Sequence, residues 1–307
     1  MVLPMTPGRP FGAVLTAMVT PMTPDGALDL PSAVRLAKKL VDEGSDGLVL
    51  SGTTGESPVT HGPEKAALVA AVVESVGDRA AVLAGVGSND TAHAMRMAEQ
   101  AGEAGADGLL LVSPYYSRPT QDGLYLHFTT VADATELPIM LYDVPGRTGV
   151  RISPDTWMRL AQHPRIVANK DATGDLYAAA KLKAATGLAW YSGDDGLFLP
   201  FLSIGGAGVV AVASHVVGAE FAEVVRRWDA GDPSGALEVF NATIPVVDAL
   251  NDAGAQAVMA KAALQAQGVL SHRTLRLPNV AAADHEVAIL GDILRAAGLA
   301  LQGSTTG

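Results

Sequence analysis

Eight short apolar runs recur along the chain, each separated from the next by an Ala-rich segment with helical spacing. They are GAVLTAMVT (12–20), DGLVLSG (46–52), AVLAGVG (81–87), DGLLLVSP (107–114), PIMLYDVP (138–145), RIVANKDA (165–172), LAWYSGDD (188–195) and GVVAVAS (208–214). Strands with continuous apolar character, joined by single helices, are buried on both faces and pair in parallel. Eight such units within about 220 residues fit an α/β (β/α)8 TIM barrel, with an open sheet of seven or eight strands as the alternative. No GxGxxG follows the first strand, which weighs against a dinucleotide-binding sheet. In LPSAVRLAKKLVDEG (30–44), Val34, Ala37 and Val41 recur at helical spacing and Gly44 offers a stop.

After Ser214 the strand signal ends. Residues 217–302 read as helices, with Leu237, Phe240, Ile244 and Val247 at helical spacing and a kink expected at Pro245. LRLPNVAAADHE (275–286) reads as a loop before a last helix ending near Leu301, and the tail QGSTTG as disordered. The expected organisation is therefore a barrel over residues 1–232, carrying the site, and a C-terminal helical appendage over 233–307.

Of the 307 residues, 49% are hydrophobic and 17% charged, and the formal net charge is -11. Such acidity argues against nucleic acid, whose recognition needs a basic patch. The chain has no cysteine, so disulfides, thiolate nucleophiles and Cys-based metal sites are excluded. The opening MVLPMTPGRPFGAVLTAMVTPM contains an apolar stretch as long as a signal-peptide core. Pro4, Pro7 and Pro10 stand where a basic leader would be, so we read it as the first strand. No apolar run reaches the roughly 18 to 20 residues needed to span a membrane, and a cytoplasmic location is expected.

In barrels of this kind the reacting groups stand at the C-terminal ends of strands. Those ends read SGTTGES, SPYYSRPTQDG, YDVPGRTG, NKDATGD and SGDDG. Of seven lysines, Lys38, Lys39, Lys65, Lys181, Lys183 and Lys261 fall on expected helices, where a solvated face explains a charge. Lys170 alone falls in a strand. Burial disfavours the ammonium, and the neutral amine is a nucleophile that condenses with ketones. The competing explanation is a buried lysine paired with Asp171 or an acid on a neighbouring strand.

The GTTGE loop (52–56) can offer hydroxyls and backbone N–H groups to a carboxylate or phosphate, or can be an ordinary capped turn. Tyr142 is either a core aromatic or a proton-transfer phenol beside the amine. Arg147 is either a surface cation or a bidentate carboxylate clamp. The histidines, His61, His93, His127, His163, His215, His272 and His285, show no HxH or HExxH spacing. They read as surface or capping residues, with no metal site.

GTTGES, PYYSRPTQDGLYLHF, YDVPGRTG, KDATGD and SGDD, in this order, resemble the 4-hydroxy-tetrahydrodipicolinate (dihydrodipicolinate) synthase family. That family lies within the pyruvate-dependent class I aldolases typified by N-acetylneuraminate lyase. The resemblance covers essentially the whole chain and implies condensation of pyruvate with L-aspartate 4-semialdehyde, feeding diaminopimelate and lysine synthesis. It implies Lys170 as the Schiff-base lysine, Tyr142 as the proton-transferring phenol, and Thr53 and Tyr116 as the rest of the proton relay. Thr54 would hold the pyruvate carboxylate, with Val210 as an aliphatic wall. Arg147 would receive the carboxylate of the semialdehyde, and Gly193 and Asp194 its amino end.

No metal or organic cofactor is implied beyond the covalent pyruvate imine. In the family the second Tyr of the YY pair comes from a neighbouring subunit, which implies a homo-oligomer: a dimer to complete each site, and a tetramer as the expected assembly. Ser57, Asn89 and Tyr115 match family members that are inhibited by lysine, whereas Pro58, Gly62, Lys65 and His93 depart from them. Weak or absent lysine feedback is expected, because Lys65 would repel a cationic ligand. The nearest rival is a sister aldolase acting on a sugar acid; a phosphate-binding barrel isomerase and a catalytically silent binding protein are more distant.

Overall fold

A computed structural model describes residues 8–251 and 256–301. All eight apolar runs form strands: β1 Val14–Ala17, β2 Gly47–Leu50, β3 Ala81–Gly85, β4 Gly108–Val112, β5 Ile139–Asp143, β6 Ile166–Asp171, β7 Ala189–Ser192 and β8 Gly208–Ala211. Each pairs in parallel with the next, and β1 closes on β8 with Val14 opposite Val209 and Leu15 opposite Val210. Every residue of β1, β2, β3, β5 and β8 is buried, which explains why these runs carry no polar alternation. The closed barrel removes the open-sheet alternative.

The helices are α1 Leu30–Asp42, α2 Gly62–Val76, α3 Thr91–Glu103, α4 Gln121–Asp133, α5 Pro145–Thr148, α6 Pro154–Leu160, α7 Leu176–Thr186, α8 Phe198–Ser203, α9 Ser214–Asp229, α10 Pro233–Asn251, α11 Gln256–Ala266 and α12 Asp284–Ala296. Several start where a short polar side chain takes an orphan backbone N–H. Asp29 caps α1, Asp90 α3, Thr120 α4, Ser153 α6 and Asp175 α7. Gly44, with φ +100, turns the chain out of α1 as anticipated. The face of α1 turned to the barrel is Ala33, Leu36, Ala37 and Leu40, while Val34 is only half-buried.

The helices α10, α11 and α12 pack on the barrel through a shared apolar cluster. Val14, Val209 and Ala211 from the strands meet Phe221, Phe240, Val246, Leu250, Leu290 and Leu294. On α10 the spacing named the right helix but only half its inner face. Phe240 and Val247 are buried, whereas Leu237 and Ile244 are exposed. The same helix runs through Pro245. The last helix stops at Ala296, short of Leu301, because Gly298 adopts φ +76 two residues on. The segment QGSTTG lies outside the described residues. Among the described residues no helix is long and apolar enough to cross a membrane.

Candidate active site

Lys170 is the fifth residue of β6 and sits in register with Tyr142 on β5 and Tyr191 on β7. Its side chain is buried, and Nζ lies 4.4 Å from the centroid of the Tyr142 ring. Burial, reinforced by the charge of Arg147 and opposed by Asp195, lowers the ammonium to about 8. The amine is therefore far more often neutral near physiological pH than a solvated lysine. Tyr142 is buried too, and its phenol is pushed up, mainly by burial. Asp171 is not the counter-ion. Its Oδ2 accepts from Trp190 Nε1 at 2.8 Å and its Oδ1 from the Thr173 backbone and hydroxyl, on the opposite face of the strand. Gly193 leaves room for the lysine stem: a Cβ there would stand 3.1 Å from Lys170 Cγ.

Tyr142 borders a cavity of about 230 Å3 whose wall also includes Thr53 and Arg147, with Tyr115, Val144 and Thr148; Lys170 is not part of that wall. Three residues singled out from two strand ends, those of β2 and β5, thus share one space. The loop carrying Thr53 and Thr54 is bracketed by two non-glycine residues in left-handed conformation, Ser51 (φ 53) and Glu56 (φ 58). Such angles persist only where the surroundings enforce them. Thr20 Oγ1 donates to Gly55 O at 2.7 Å, and Glu56 reaches into the interior.

The remaining residues stand around this centre without lining the cavity. Thr54 is buried, and Val210 is buried in β8. Asp194 is exposed at the end of β7, with Oδ1 accepting from Gly196 N at 2.9 Å. Tyr116 is 91% exposed with φ 71, turned away from the cavity that its neighbour Tyr115 lines.

Three readings from local pattern are corrected. Lys261 does not lie on a solvated face: it is fully buried on α11 and donates to Glu56 and to Thr274 O. Its signal was in the sequence, since QAVMAKAALQA offers it no polar face. His127 and His215 are buried rather than superficial, and burial lowers both to about 4. His215 Nε2 accepts from Val19 N and its Nδ1 lies 2.8 Å from Val212 O, a bracing role between barrel strands.

The pattern also missed Asp195, which is buried and accepts from the Val212 and Ala213 backbones, and the amides Asn251 and Gln256 from the C-terminal helices. Gln256 Oε1 accepts from Arg147 Nη2 at 3.1 Å, a contact spanning 109 residues that no spacing rule could reveal.

The Dihydrodipicolinate synthetase (DHDPS) family model matches residues 10–297. A 4-hydroxy-tetrahydrodipicolinate synthase 2 from Streptomyces coelicolor is 56% identical, the match covering 96% of this chain and 98% of the relative. A dihydrodipicolinate synthase structure from Bacillus anthracis superposes with TM-score 0.89 at 41% identity, covering 93% of this chain and 98% of that one. The lysine-bound DHDPS of Cyanidioschyzon merolae does so with TM-score 0.91 at 39% identity, over 94% and 99%.

Proposed function

The chain belongs to the dihydrodipicolinate synthetase family, and from that premise we infer that it condenses pyruvate with L-aspartate 4-semialdehyde to 4-hydroxy-tetrahydrodipicolinate, with Lys170 as the imine-forming amine. The single observation that carries the assignment of Lys170 is its burial against the Tyr142 ring, with its proton held loosely at about 8.

The chemistry follows from that amine. Neutral Nζ adds to the keto carbon of pyruvate, and after proton transfers a water leaves, giving a protonated imine. That imine withdraws electrons from the adjacent methyl, which loses a proton to leave an enamine. The enamine carbon bonds to the aldehyde carbon of the second substrate, whose oxygen takes up a proton. The amino group that the semialdehyde carries then attacks the imine carbon, closes the six-membered ring and displaces Lys170 as the free amine.

Tyr142, with Thr53 and a Tyr116 from a second copy, moves these protons in our reading. The 91% exposure of Tyr116 supports its delivery to a neighbouring subunit, and hence a homo-oligomer, which we propose as a tetramer. Thr54 and Val210 hold pyruvate, Arg147 takes the semialdehyde carboxylate, and Gly193 and Asp194 face its amino end. The iminium is itself the electron sink, so the chemistry asks for no metal or organic cofactor. A coupled assay tests the reading: turnover with pyruvate and aspartate semialdehyde is expected. Turnover only with a sugar acid would place the chain with a sister aldolase.

Feedback by lysine is expected to be weak or absent. Lys65 Nζ donates to Ser57 Oγ at 2.9 Å, and burial lowers it only to about 8, so it stays mostly cationic at pH 7. A second ammonium brought beside it is repelled. Initial rates across a lysine titration check this, and half-inhibition in the low-millimolar range would contradict it.

A further inference from the structure

Arg147 is the exposed end of a hydrogen-bonded chain that begins in the interior. Asp195 is buried at the end of β7, where Val212 N and Ala213 N donate to its carboxylate at 3.0 and 2.8 Å. Asn251 Nδ2, the last residue of α10, donates to Asp195 Oδ2 at 3.0 Å. Gln256 Nε2, the first residue of α11, donates to Asn251 Oδ1 at 2.6 Å, and Arg147 Nη2 donates to Gln256 Oε1 at 3.1 Å.

The direction of every bond is dictated by the two ends. Asn251 Nδ2 also donates to Val247 O at 2.8 Å, and a carbonyl only accepts, so Asn251 turns its NH2 inward toward Asp195 and its oxygen outward. Gln256 must then meet that oxygen with its own NH2, which leaves its carbonyl facing Arg147. A guanidinium only donates, so the last link fits with no amide flipped. An amide pair between an acceptor-only carbonyl and a donor-only guanidinium has one satisfied orientation, and that orientation aims an oxygen at Arg147. Among the described residues Nε and Nη1 of Arg147 make no hydrogen bond. Arg147 itself rides on α5, a four-residue helix on the cavity rim.

We propose that Gln256, oriented by Asn251 and Asp195, is a positioning residue that holds the Arg147 guanidinium over the cavity for the carboxylate of the second substrate. The inference rests on the reading of Arg147 given above. It assigns the C-terminal helices a part in choosing the acceptor aldehyde, because both amides belong to them. A charged side chain at position 256 would act differently from an absent one, since a carboxylate would occupy and neutralise the guanidinium rather than merely release it.

The test is steady-state kinetics on the full chain, with borohydride trapping of pyruvate run in parallel. Gln256→Ala is expected to raise KM for aspartate semialdehyde about tenfold while leaving the pyruvate KM and the trapping rate within about twofold of the parent. Gln256→Glu is expected to raise the semialdehyde KM further than Gln256→Ala does. Asn251→Ala acts through Gln256, so the double variant Asn251→Ala/Gln256→Ala is expected to be no worse than Gln256→Ala. A semialdehyde KM unchanged in Gln256→Ala, or raised no more than the pyruvate KM, would overturn the proposal. So would additive losses in the double variant. Absence of a trapped adduct on the parent would instead overturn the functional reading itself, and the two failures are told apart by that control.

Discussion

Lys261→Met is expected to lower the unfolding free energy by about 3–5 kcal/mol, the scale for removing one partner of a buried ion pair. Lys261 is fully buried and Glu56 is 2% exposed, so neither charge has water to fall back on. Loss of the ammonium would leave the Glu56 carboxylate with the Arg276 backbone N–H at 3.0 Å as its remaining partner. Thr274 O would lose the donor it has at 2.7 Å. The double variant Lys261→Met/Glu56→Gln buries no net charge and is expected to recover more than half of the loss. Urea denaturation followed by fluorescence measures both, and a cost below about 1 kcal/mol for the single variant would mean that the pair is hydrated.

The consequence reaches the site. Glu56 holds its left-handed backbone at the end of the Thr53–Thr54 loop, and Lys261 is what fixes its carboxylate. At temperatures where the single variant remains folded, its pyruvate KM is expected to rise, because the loop loses that anchor.

Lys170→Ala is expected to lower the condensation rate by roughly 10^4–10^6-fold, the scale for removing a covalent nucleophile. In the parent, the rate of imine formation at limiting pyruvate is expected to climb about tenfold per pH unit below about 8 and to level off above it. The sign follows from the reacting form. The amine must be neutral, and burial lowers its proton affinity from the ordinary 10.5 to about 8, so the plateau arrives at correspondingly lower pH. Between those values the unfolded chain holds a proton that the folded chain does not, so this group's contribution to stability rises with pH across that window. Single-turnover trapping from pH 6 to 10 checks the profile, and a rate still climbing past pH 10 would mean an unperturbed lysine.

The barrel was readable because its physics is local. A parallel strand buried on both faces must be apolar throughout, and eight such runs at helix-length intervals admit few arrangements. Lys170 was readable for the same reason, as an ammonium where the pattern has no place for one.

The failures mark where burial is decided by distant segments. The rule that helices have a wet side misplaces Lys261. Its own helix is Ala-rich all round, and the partner that explains it lies 205 residues away. The spacing of Leu237 and Ile244 marked a helix correctly, but which stripe faces inward depends on how α9 and the barrel meet α10. The burial of His127 and His215 leaves no trace in their spacing. The chain from Asp195 through Asn251 and Gln256 to Arg147 joins the turn after β7, α10, α11 and α5, and only the closed fold brings those four together.

The most direct test of the central claim is to mix the protein with pyruvate and borohydride and weigh the intact chain beside its Lys170→Ala variant. The expected result is a mass gain of one reduced pyruvate on the parent, located to Lys170 by peptide mapping, and none on the variant. An unmodified parent, or an equal gain on both chains, would contradict the assignment of Lys170 as the imine-forming amine.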